Sequence, residues 1–122
     1  MDKKVIMSLL LDFYGQLLSE KQLEVMNCYY NDDYSLREIS EIVGITRQGV
    51  HDTIKRSEQS LLDLEKKLGL YSKWQDVHKK LEVIEKNVVD IQNNVHSDCN
   101  KDYIKKQCEN TIKTIKEIYK NF

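Results

Sequence analysis

Two short runs of this chain carry residues whose types and spacing could do chemistry on a partner. The first is Thr46-Arg47-Gln48-Gly49-Val50-His51, continued by Lys55 and Arg56. Arg47 and Gln48 near the start of one helix could reach base edges, since a guanidinium pairs bidentately with guanine and a primary amide with adenine. Lys55 and Arg56, and Arg37 from a preceding helix, could meet phosphates. Asp52 and Glu58 would repel phosphate. His51 belongs to the same exposed set. The second run holds Tyr29, Tyr30 and Tyr34. Exposed tyrosines can stack on unpaired bases, but the expectation here is packing between helices.

No other constellation points to catalysis or a metal. His51, His78 and His96 are scattered, and Cys28, Cys99 and Cys108 form no CxxC pair. Cys99 and Cys108 lie nine residues apart with no ligand-type partner nearby, so thiols are expected rather than a zinc site. Neither GxxxxGK[ST] nor GxGxxG occurs. The expectation is no enzyme, no metal and no cofactor. Three cysteines without a secretory leader predict free thiols in a reducing cytoplasm. The apolar stretch from Val5 to Leu11 is too short to cross a membrane.

The elements that must position Thr46 to Arg56 are helical. The chain has 122 residues, no proline and four glycines, and no alternating apolar and polar run marks a strand. Val5, Ile6, Leu9, Leu10, Phe13 and Leu17 recur on one helical face from about Asp2 to Leu18. Ser19 with Gln22 and Ser35 with Glu38 are capping-box pairs. The first opens a helix with Leu23, Met26 and Tyr30 that stops near Asn31-Asp32-Asp33. The second opens a short helix with Leu36, Ile39, Ile42 and Val43 on its inner face. Gly44 suits a left-handed turn, Ile45 plugs the angle, and Thr46 caps a helix running to about Leu68. Val50, Ile54, Leu61, Leu64 and Leu68 form its stripe. Small Ser40, the turn glycine and the surrounding aliphatics have helix-turn-helix spacing. Thr53, where a larger aliphatic is usual, is the one departure, and Ile54 beside it compensates.

From Ser72 onward the pattern changes. Val77, Leu81, Ile84, Val88, Ile91 and Val95 alternate steps of four and three, a heptad stripe. Asn93, Asn94, Ser97 and Asp98 mark a break. A last helix carries Ile104, Cys108, Ile112, Ile115, Tyr119 and Phe122. The reading is an all-α chain: a helix-turn-helix domain over residues 1–70 and a helical hairpin or coiled-coil tail over 71–122. The tail's stripes predict dimerisation or packing back on the first domain, with Tyr71 and Trp74 as anchors.

Net charge is −1, which gives nucleic-acid binding little support by itself. Residues 1–35 have three basic against six acidic side chains, residues 36–70 six against six, and residues 71–122 ten against eight. The last helix from Asn100 has six lysines against three acids. The most cationic part is therefore not the helix-turn-helix, and an isolated monomer would release few counterions.

The stretches DFYG at Asp12 to Gly15, LSEKQ at Leu18 to Gln22 and YYNDDYSL at Tyr29 to Leu36, with Thr46 to Val50 and Ile54 to Arg56, resemble the YlxM family over residues 5–70. These are small bacterial proteins with a helix-turn-helix similar to region 4 of sigma-70 factors. The resemblance implies an all-helical fold, DNA binding, and an accessory role in the signal recognition particle pathway through the particle's RNA or GTPase. Thr46, Arg47, Gln48 and Lys55 take on a nucleic-acid role by position. Gly49 stands where similar proteins often have alanine. The expectation is a cytoplasmic, homodimeric protein that binds DNA or RNA as a regulator or accessory. The alternative is an adaptor that binds a particle component without touching nucleic acid.

Overall fold

The computed structural model describes residues 2–95 and 101–120, which divide into two compact units, Met1–Ser72 and Lys73–Phe122. His96, Cys99, Phe122 and the break expected at Ser97-Asp98 lie outside the described residues. Among the described residues every regular element is helical: α1 Lys3–Tyr14, a 3-10 turn Gly15–Leu17, α2 Glu20–Tyr30, α3 Leu36–Val43, α4 Arg47–Leu68, α5 Leu70–Asn94 and α6 Lys101–Lys120.

In the first unit α4 packs against α1, α2 and α3. Leu10, Tyr14, Val25, Met26, Ile39, Val50 and Leu61 are almost fully buried there. Burial of each large aliphatic side chain contributes about 1.5–3 kcal/mol. Both capping boxes form. The Ser19 and Ser35 hydroxyls accept from the Gln22 and Glu38 N–H groups at 3.2 and 3.1 Å, and the two N3 side chains accept the cap N–H groups in return. α3 ends at Gly44 with φ 78°, a left-handed value that disfavours any side chain. The Ser40 hydroxyl donates to the Ile45 carbonyl and closes the turn.

Most of the expected stripe residues pack in or on the core, Ile6, Leu9, Phe13, Leu36, Val43 and Leu64 among them, but individual members of the α1, α3 and α4 stripes stay exposed. On α1 the buried side chains are Met7, Leu10, Leu11 and Tyr14, while Val5 and Leu17 are exposed. The helix stops at Tyr14 and the 3-10 turn swings Leu17 outward. On α3, Ile39 is fully buried but Ile42 is 52% exposed, because eight residues make little more than two turns and only one face meets α2 and α4. On α4 the stripe is bridged between Ile54 and Leu61 by polar groups, and Leu68 is exposed. Buried Ser57 donates to the Thr53 carbonyl at 2.7 Å, and buried Glu58 accepts from the Tyr30 hydroxyl at 2.8 Å.

α4 passes to α5 through Gly69 alone, whose φ of 65° is left-handed. The first N–H groups of α5 have no partner within their own helix, and other helices supply them. Leu70 N–H donates to the Tyr14 hydroxyl at 3.0 Å, and Tyr71 and Ser72 donate to the two Glu65 carboxylate oxygens at 2.9 and 3.1 Å. The Tyr14 hydroxyl in turn donates to Glu65 Oε1 at 2.7 Å. Tyr71 belongs to the first unit's core and meets Phe13 edge-on.

The second unit contains most of α5, and α6. Trp74 stacks on His78 with ring centroids 5.1 Å apart. Only half of the heptad stripe is withdrawn from solvent: Val77, Ile84 and Ile91 are half-buried, while Leu81, Val88 and Val95 are exposed. Lys80, Asn87 and Asn94 complete the less exposed face. α6 has no buried residue; Ile104 and Ile115 are half-buried, whereas Cys108, Ile112 and Tyr119 are exposed. No helix among the described residues is long and apolar enough to cross a membrane.

Burial raises the pKa of the Tyr30 phenol, and its donation to Glu58 raises it further. Burial, then the hydrogen bond to Glu65, raises that of Tyr14 in the same way. A group whose pKa is raised in the folded state contributes stability that is complete below its unfolded value, near 10 for tyrosine, and that fades as pH climbs toward the folded value. The wild type's advantage over Tyr30→Phe should therefore shrink between about pH 9.5 and 11. Urea melts of both proteins across that range measure it. A difference that stays constant with pH would show that the phenol is not held protonated by the fold.

Candidate nucleic-acid interface

The Thr46 side-chain oxygen accepts the Gly49 N–H at 3.0 Å and starts α4. Residue 49 is tight: a Cβ there would stand 3.2 Å from the Thr46 cap oxygen and 3.6 Å from Ile45 Cδ1. Glycine thus lets the turn close onto α4 at some cost in helix propensity. Thr53 turns its hydroxyl back to the Gly49 carbonyl at 2.8 Å, leaving Ile54 to fill the core.

Thr46, Arg47, Gln48, His51, Lys55 and Arg56 are all exposed, as is Arg37. Advance of about 100° per residue sorts them. The core side of α4 is Val50, Ile54, Ser57 and Leu61. Directly opposite stand Gln48, Asp52 and Gln59, so an acid occupies the middle of the outward face. Gln48 donates to Asp52 Oδ1 at 3.0 Å, and His51 Nδ1 lies 3.7 Å from the same oxygen. Arg47, His51 and Lys55, four residues apart, form a cationic row along one flank. Arg56 falls on the other flank. Arg37 is on α3, its Nε 3.4 Å from Glu41 Oε1. The fold thus gathers Arg47, His51 and Lys55 beside Thr46 and Gln48, and sets Arg37 and Arg56 apart from them.

The cationic flank leads to a cleft of about 470 Å³. Its walls are the start of α1 with Lys3 and Lys4, the end of α2 with Tyr29 and Tyr30, the turn bearing Asp33 and Tyr34, and the α4 side chains His51, Lys55 and Glu58. Lys3 pairs with Glu58 at 3.1 Å and Lys4 with Asp33. Asp33 has a left-handed φ of 57°, the one such non-glycine among the described residues. Tyr30 is buried as expected, but Tyr29 and Tyr34 are 37% and 38% exposed. Sequence reasoning missed this cleft. Lys3 and Lys4 are 47 or more positions from His51, and no local pattern brings them together.

Among the described residues no group of three or more His, Cys, Asp or Glu side chains is placed to hold a metal. Cys28 and Cys108 are free thiols, and burial first, then Asp32 and Glu24, pushes the Cys28 thiol up.

Comparison with known proteins agrees with the helix-turn-helix. Residues 1–115 match the family model described as "UPF0122: Putative helix-turn-helix protein, YlxM / p13 like". A UPF0122 protein of Caldanaerobacter subterraneus subsp. tengcongensis is 55% identical over 83 residues, 68% of this chain and 71% of that protein. One from Thermoanaerobacter sp. (strain X514) is 52% identical over 87 residues, 71% of this chain and 74% of that protein. One from Clostridium kluyveri is 40% identical over 106 residues, 87% of this chain and 92% of that protein. With its two capping boxes, its turn at Gly44 and its helix-turn-helix, the chain belongs to the UPF0122, YlxM-like helix-turn-helix family.

Proposed function

We propose that this chain binds nucleic acid, DNA or RNA, with the Arg47–His51–Lys55 flank of α4, and that it does so as a regulatory or accessory protein rather than an enzyme. The observation that carries the reading is that three cationic or protonatable side chains share one exposed row on a helix presented by a helix-turn-helix. Thr46 and Gln48 stand beside the row and supply contacts at the helix start. Asp52 keeps the middle of the face unfavourable to phosphate and confines the backbone to the flank. Arg37 and Arg56 take outer phosphate contacts.

Anisotropy titrations with labelled DNA and RNA at about 50 and 200 mM salt test this directly. The expected result is binding that weakens steeply with salt. No binding to either polymer at the lower salt would falsify the proposal.

The exposed apolar rows of the second unit, Leu81, Val88 and Val95 on α5 and Ile112 and Tyr119 on α6, favour a helical protein partner. We assign that role to a second copy of the chain, whose pairing would double the cation count. Sedimentation at micromolar concentration should then give the mass of two chains. The setting we infer, from the family resemblance alone, is the cytoplasm and the signal recognition particle pathway, with the particle's RNA or GTPase as partner. In the adaptor alternative, the GTPase is recovered on the chain even after nuclease treatment.

A further inference from the structure

We infer that the cleft between the start of α1, the end of α2 and the flank of α4 holds one unpaired nucleotide, its base on Tyr34 and its phosphate between Lys4 and Lys55. This rests on the reading of α4 as a nucleic-acid helix, and deepens it by naming the form of substrate: a strand with an unpaired end or bulge rather than a continuous duplex.

Four observations carry it. The first is size, since about 470 Å³ lies within the roughly 300–1,000 Å³ of clefts that take small ligands. The second is an open aromatic face. Tyr29 is edge-on to Tyr30, with centroids 4.9 Å apart and planes at 89°, whereas Tyr34 has no ring partner among the described residues. Its backbone is held in place, because its N–H donates to the Cys28 carbonyl at 2.9 Å and the following Ser35 caps α3. An ordered, half-exposed ring is what a base needs for stacking.

The third is charge. Lys3, Lys4 and Lys55 face two carboxylates, and Lys55 makes no ion pair among the described residues. Glu58 is already shared by the Tyr30 hydroxyl and Lys3, so a cation is left over for a phosphate at the rim. Beyond Tyr34 stand Glu38 and Glu41, which repel a phosphodiester and direct the strand to the lysine side. The fourth is continuity. His51 and Lys55 belong both to the cleft and to the cationic row of α4, so a strand leaving the row enters the cleft directly, past Glu58, which is buried and paired with Lys3.

The test uses the full chain, one duplex sequence in three forms (blunt, with a short single-stranded overhang, and with the same overhang made abasic) and free adenosine monophosphate. The overhang should tighten binding by about fivefold or more over the blunt form, and removal of its bases should cancel that gain. Tyr34→Ala should abolish the preference and leave blunt-duplex affinity unchanged, whereas Tyr34→Phe, which keeps the ring, should retain it. Adenosine monophosphate should shift the amide resonances of residues 29–36 and 51–55 in the wild type but not in Tyr34→Ala. Equal affinity for blunt and overhang forms, or a preference that survives Tyr34→Ala, overturns the cleft while salt-sensitive duplex binding leaves the α4 reading standing. Conversely, mononucleotide binding that depends on Tyr34 without any duplex binding supports the cleft and removes the α4 reading. An oligoglutamate peptide that competes as well as the overhang also overturns the inference, because it offers charge without a base.

Discussion

Replacing Arg47 and Lys55 together by alanine should lower nucleic-acid affinity about 10- to 100-fold at low salt. It should also flatten the slope of log affinity against log salt by about two. Both side chains are exposed and neither makes an ion pair among the described residues, so their removal takes nothing from the fold. Each counterion released on phosphate neutralisation contributes about 0.9 to that slope on duplex DNA. Arg56→Ala should do less, since it lies on the other flank of α4, and Arg37→Ala less again, since its guanidinium is already engaged with Glu41. Circular dichroism of the double variant checks that the helices persist. An unchanged salt slope would remove the flank from the interface.

The second large effect is on stability. Ile39→Ala should cost about 2–5 kcal/mol, the range for truncating a fully buried isoleucine and leaving a cavity. Ile39 is 0% exposed at the point where α3 meets α2 and α4. Against a total of about 5–15 kcal/mol, that loss should lower the melting temperature by more than about 10 °C. Ile42→Ala, three residues on but 52% exposed, should change stability by less than about 0.5 kcal/mol. Equal losses at the two positions would mean that the α3 face is wrongly assigned. The pair matters for function because α3 sets the angle at which α4 is presented.

That contrast also marks what was readable in advance. The capping boxes at Ser19 and Ser35, the left-handed turn at Gly44 and the Thr46 cap are local events. Each is a hydrogen bond or a φ value settled within three or four residues, and residue order alone specifies them. The exposure of Arg47, Gln48 and Lys55 follows from the same helical periodicity. Periodicity does not say where a stripe ends. Ile42 and Val5 lie on legible stripes yet stay exposed, because the arc a helix buries depends on the width of its neighbour, and Leu17 stays exposed because α1 ends at Tyr14 before reaching it.

The sequence by itself determined an all-helical chain, the positions of its caps and turn, and the helix that carries the candidate contacts. Helical periodicity already sets Asp52 opposite the core stripe and Arg47, His51 and Lys55 along one flank. Tertiary structure alone brought Lys3, Lys4 and Tyr34 beside that flank. The physical reason is range. Helix caps act over one turn, whereas a cleft is made by side chains tens of residues apart. It exists only once burial of Tyr14, Ile39, Val50 and Leu61 has fixed four helices around one core.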